Sequence, residues 1–192
     1  MSALVIGLIV FLGAHSVRIV AEDWRRARIG AMGPRAWKAV YSAISLAGFV
    51  LIAWGYAQSR AAPVAVWHPP LWTKHVAALL TIPAFVLLAA AYVPATRIKA
   101  AVKHPMVVGV KLWAFAHLLA NGRLADIVLF GAFLAWAILD FRAARARDRV
   151  MGVVAEPGSL TRDAIALVVG MIAWAAFALY LHAAWIGVRP FG

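Results

Sequence analysis

The sequence predicts an all-α fold, a polytopic membrane bundle of about six transmembrane helices with both termini outside the cytoplasm. Three observations lead there. Of the 192 residues, 65% are hydrophobic and the mean hydropathy is +0.87, whereas a soluble domain is about 45–50% apolar. That excess cannot be hidden in one core of this size. The apolar residues gather into six runs, each at or near the roughly 20 residues a span needs. The basic residues fall between the runs and sort strongly to one side.

The first run, Ala3–Ala21, follows an uncharged Met1-Ser2. A signal peptide would carry a basic leader and a small-residue cleavage site, so this run is expected to be retained as a helix. The second, Ala39–Ala57, is opened by Gly33-Pro34, and Pro63, Pro69 and Pro70 break the loop beyond it. The third, Leu71–Val93, ends at Pro94. The fourth, Pro105–Ala120, is short; Pro105 suits a first helical turn, where its missing N–H costs nothing. Its exit turn, Asn121-Gly122, is expected below the membrane surface. The fifth is Leu124–Phe141. The sixth, Ala164–Ile186, follows Pro157-Gly158, with Thr161 as its expected cap and Asp163 in its first turn. Residues 1–192 read as one membrane domain without an internal repeat, and Ala143–Ser159 is the one sizeable extramembrane segment.

Thirteen Lys and Arg residues lie in the loops after the first, third and fifth runs, against Arg60, Lys74, Arg123 and Arg189 on the other side. This asymmetry places both termini outside the cytoplasm of a multi-pass membrane protein. A net charge of +12 would suggest nucleic acid in a soluble chain; here it marks topology and lipid headgroups, so no nucleic-acid partner is expected. There is no cysteine, which excludes disulfides, thiolate metal sites and thiol nucleophiles.

Ionisable groups inside spans are costly and are candidate functional residues. They are His15, Arg18, His75, Lys111 and His117, with Asp140 near a helix end. His15 lies in Phe11-Leu12-Gly13-Ala14-His15-Ser16, where small neighbours would admit a second helix or a flat ligand. Gly109, Trp113, His117 and Asn121 are four apart and share one helical face, which suits a planar cofactor as well as it suits a neighbouring helix. His75, beside Lys74 and Trp72, reads either as a snorkelling interface residue or as a third member of a site. Two histidines without Cys or a mid-membrane carboxylate favour haem, with imidazole as axial ligand, over zinc, non-haem iron or a proton relay. His15 lies about 9–12 Å from the cytoplasmic end and His117 about 18 Å. His75 matches His117 better in depth and is the alternative ligand. Arg18 and Lys111 are candidates for haem propionates, unless they snorkel or pair with Glu22, Asp23 or Asp140.

Three stretches carry a resemblance over nearly the whole chain: Phe11-Leu12-Gly13-Ala14-His15-Ser16-Val17-Arg18, the block from His104-Pro105-Met106 through Lys111-Leu112-Trp113-Ala114 to His117-Leu118-Leu119-Ala120-Asn121-Gly122, and the tail from Leu181-His182 to Gly187-Val188-Arg189-Pro190. In these the sequence resembles the NnrU family of membrane proteins, associated with bacterial denitrification and nitric oxide metabolism. The family is similar to the plastid 15-cis-ζ-carotene isomerase. That resemblance implies haem b held by His15 and His117, a redox-linked isomerase-like activity on a hydrophobic polyene, or a non-enzymatic accessory or sensor role beside denitrification enzymes. Separately, Lys103-His104-Pro105-Met106-Val107-Val108-Gly109 resembles the Arg-His-Pro-x-Tyr-x-Gly motif of isoprenylcysteine-type membrane methyltransferases, which implies S-adenosylmethionine. Lys103 and Val107 depart from that motif, so it reads as shared architecture.

Overall fold

The computed structural model describes residues 1–191. These form seven α-helices, the last continued by a π-helical segment: α1 Ser2–Val20, α2 Glu22–Ser59, α3 Leu71–Tyr92, α4 Arg97–Val102, α5 Pro105–Ala120, α6 Leu124–Val150, α7 Leu160–Ala176 and the π-helix Phe177–Ile186. Five of these helices are long and apolar enough to cross a membrane, α7 being counted together with its π-helical continuation. The 16-residue α5 is the sixth apolar helix, about 24 Å long and short of a ~30 Å hydrocarbon core. Together they make an all-α polytopic membrane bundle, as the sequence predicts.

Two helices run further than the hydropathy pattern. α2 begins at Glu22 rather than Ala39, and its only break is at Gly33 (φ 83°, ψ 157°). A glycine tolerates that positive φ, and Pro34 then starts the apolar part. α6 continues through the Arg-rich stretch to Val150, so half of the expected Ala143–Ser159 loop is helix. At α7 the cap position is Ser159, not Thr161. Asp163 instead accepts a hydrogen bond from the Ile98 amide at 3.2 Å, which ties α7 to the short α4.

Packing neighbours follow the order α2, α1, α6, α5, α3, α7. In lipid, helices associate by close packing rather than by a hydrophobic drive, so small residues mark the contacts. A Cβ on Gly7 would sit 2.6 Å from the Ile52 amide nitrogen, one on Gly48 would sit 2.7 Å from that of Phe11, and one on Gly55 would overlap the backbone of Leu4. α3 is pinned from both sides: Gly109 of α5 approaches the Ala84 carbonyl, and Gly170 of α7 approaches Val86. Leu4, Leu8, Ile52, Ala114, Leu129 and Phe130 form the buried centre.

The loops gather at two ends. At one end Thr96 pairs with Ser159, His104 meets Asp148 and Arg147 reaches the Arg18 carbonyl; this is the basic end. At the other, the loop between α2 and α3 folds over the short α5. The amides of Val66 and Trp67 donate to the Gly122 carbonyl, and Leu124 donates to Val64. The loop thereby satisfies backbone polar groups of the Asn121-Gly122 turn and of the start of α6. Gly122 itself is buried against the Trp67 carbonyl, which leaves no room for a side chain.

Candidate functional site

Two clefts lie on either side of a wall formed by α5 and α6. The outer cleft opens toward the end opposite the basic loops. It has a volume of 330 Å³ and is framed by α3, α5, α6 and the π-helical segment, a size usual for small-molecule sites. It is open on one side, so a larger flat ligand would seat partly outside it. Its walls are aromatic: Phe85, Trp113, Phe133, Trp174 and Phe177 all line it, and Lys74 and Arg189 add cations. The basic-end cleft has a volume of 680 Å³ and is framed by α1, α2, α5 and α6. Its lining carries more charged side chains, among them Arg18, Arg25, Lys38, Arg147, Asp140 and Asp148.

His15 and His117 share a local geometry that their helices impose. His15 Nδ1 donates to the Phe11 carbonyl one turn back at 2.7 Å. His117 Nδ1 donates to the Trp113 carbonyl at 2.8 Å. A carbonyl only accepts, so each Nδ1 carries the proton and the neutral ring keeps its lone pair on Nε2. A metal-ligating histidine is held in the same way, with its other ring N–H donated to a carbonyl.

The structure does not bring these two histidines together. His15 lines the basic-end cleft and His117 the outer cleft. His15 stands five residues from the basic end of α1, whereas His117 stands three residues from the outer end of α5. Aromatic rings fill the space between. His15 stacks on Phe11 with centroids 4.2 Å apart, Phe11 meets Phe133 at 5.8 Å, Phe133 meets Trp113 at 5.6 Å, and Trp113 meets His117 at 5.3 Å.

The remaining candidates divide between the two clefts and the lipid face. Trp113 lines the outer cleft beside His117. Arg18 lines the basic-end cleft, and Glu22 pairs with Arg25 and Arg26 rather than with Arg18. Lys111 lines neither cleft; its ammonium sits 3.7 Å over the Phe141 ring. His75 is exposed on α3 and lines neither cleft. Gly13, beside His15, has open space around it, so the small residues that bring backbones together on α1 and α2 are Gly7, Gly48 and Gly55. The four-apart face of α5 divides: Gly109 packs on α3, while Trp113, His117 and Asn121 line the outer cleft.

Several residues acquire weight only in three dimensions. His182, in the sixth apolar run, lines the same cleft as His117. His104 Nε2 lies 2.9 Å from Asp148 and faces the same cleft as His15. The indole N–H of Trp136, on the wall of that cleft, is buried without a partner. Asp126 is 3% exposed and accepts a 2.5 Å hydrogen bond from Tyr56. Of these, Asp126 had a signal in the sequence, an Asp within a turn of a span's start.

The family model described as NnrU protein matches residues 3–190. No curated protein and no solved structure matches the chain.

Proposed function

The chain belongs to the NnrU family, and from that premise we propose that it is a membrane haem b protein, with a redox-linked isomerase-like activity on a hydrophobic substrate or an accessory role in nitrite and nitric oxide metabolism. The observation that carries the reading is His117. Its Nδ1 is fixed on the Trp113 carbonyl, which turns a free Nε2 toward a cleft with aromatic walls. That is the pose of an axial imidazole, and flat aromatic walls suit a macrocycle. Lys74 and Arg189, which also line the cleft, are cations of the kind that pair with propionate carboxylates. When bound, haem would supply a one-electron couple or a coordination position for a small ligand such as nitric oxide. The chain's own contribution is to hold the group in an apolar, lipid-depth cleft and to fix its ligand's tautomer.

A multi-pass membrane location follows from the five long apolar helices and the family. The inner membrane of a bacterium and the orientation with both termini outside are supported by the sorting of basic residues to one end. Methyl transfer has less support. His104 of the Lys103-His104-Pro105 stretch is engaged by Asp148 at 2.9 Å, a partner absent from that motif.

The test is an absorption spectrum of the full chain, purified in mild detergent with and without added haemin. A Soret band that co-purifies or titrates to one equivalent is expected. Its absence under both conditions removes the reading. Turnover of a polyene by the loaded protein would select the enzyme; haem with nitric oxide binding and no turnover would select the accessory or sensor.

A further inference from the structure

We propose that His182, not His15, is the second axial ligand of the group that His117 holds, an inference that rests on the haem reading. Both rings line the outer cleft. Both are tethered alike: His182 Nδ1 donates to the Val188 carbonyl at 2.7 Å, as His117 Nδ1 donates to Trp113 at 2.8 Å. The Nδ1 tethers leave each ring's Nε2 free in the cleft that both rings line, and among the described residues no hydrogen bond engages either Nε2. A metal centre between them satisfies both at once.

Depth agrees as well. His117 is three residues from the end of α5 and His182 four residues from the end of the π-helical segment, at the same end of the bundle. His15 stands near the opposite end.

The backbone around His182 is unusual in a way that serves this pose. Residues Phe177–Ile186 form a ten-residue π-helix, a rare conformation enriched at functional sites. The segment ends at Gly187, whose left-handed φ of 74° turns the chain back. A regular helix cannot return residue 188 to residue 182; this turn does, and the returned carbonyl is what fixes the imidazole. Arg60 of α2 donates to the Ile186 carbonyl at the same place.

The experiment uses the full-length, haem-loaded protein and its His182→Ala, His15→Ala and His182→Met variants. Spin state is read by absorption and electron paramagnetic resonance. The proposal expects a low-spin, six-coordinate wild type, conversion of His182→Ala to high-spin, restoration of the low-spin signal by added imidazole, and a His15→Ala protein that stays low-spin. Should His182→Ala fail to fold, His182→Met keeps the bulk and decides the matter: thioether in place of imidazole raises the haem potential if residue 182 is a ligand and leaves it unchanged if not. A high-spin His15→Ala, or a His182→Met with wild-type potential, overturns the proposal while leaving the haem reading intact. A chain that takes up no haem overturns both.

Discussion

The Tyr56 hydroxyl donates a 2.5 Å hydrogen bond to Asp126, joining α2 to the first turn of α6 across the outer end of the bundle. Asp126 is 3% exposed, and a buried carboxylate needs its partner. Tyr56→Phe keeps the ring and strands the carboxylate. It should lower unfolding stability in detergent by about 1–3 kcal/mol, read by thermal or denaturant melting. A Tyr56→Phe melt that overlays the wild type would show the bond to be idle. Asp126→Asn, which still offers an oxygen to the phenol, should cost less.

The contact of α1 with α2 depends on missing side chains. Gly48→Leu, with its first atom built 2.7 Å from the Phe11 amide nitrogen, should force the helices apart and cost about 1–3 kcal/mol or more. Gly13→Leu, on the same pair of helices but facing open space, should move stability by less than about 0.5 kcal/mol. Equal melting temperatures for the two variants would contradict the packing described.

Orientation is open to direct labelling because the chain contains no cysteine. Single cysteines at Ala62, in the loop over α5, and at Arg149, near the basic end of α6, lie at opposite ends of the bundle. An impermeant maleimide applied to intact spheroplasts should label Ala62→Cys and spare Arg149→Cys until the membrane is opened. The reverse pattern would invert the topology derived from the basic loops.

Gly187 positions His182 without being able to touch a ligand in the cleft. Gly187→Ala places a Cβ at φ 74°, a strain of about 1–2 kcal/mol, and should loosen the Val188 carbonyl from the imidazole. A broadened or mixed-spin haem signal in Gly187→Ala, with near-normal folding by size-exclusion chromatography, is the expected result. An unaltered signal would mean that the Val188 tether does not set the ring.

Much of the fold is legible in the sequence because lipid is a stringent solvent. α5 begins and ends at Pro105 and Ala120 as read from its proline and its Asn-Gly turn, and Gly33-Pro34 does mark the break within α2. The errors have one cause. Hydropathy marks where lipid ends, not where a helix ends, so the polar extensions Glu22–Met32 of α2 and 142–150 of α6 read as loop. The site is less legible for a different reason. Which histidines meet depends on which helices are neighbours, and the order α2, α1, α6, α5, α3, α7 is not the order of the chain. Counting residues from helix ends already separates His15 from His117 in depth, and the structure adds the aromatic wall between them. It also adds His182, which lines the cleft beside His117.

Val110 lines both clefts, so at that level the partition between two chambers of opposite character is one side chain thick. Whatever fills the larger, cationic chamber presses on the same valine as whatever fills the aromatic one. Occupants that prefer different positions of that side chain exclude one another, and occupants that prefer the same position recruit one another, with equal force in both directions. The wall that keeps His15 from His117 is thereby also a surface that both clefts share, through Val110.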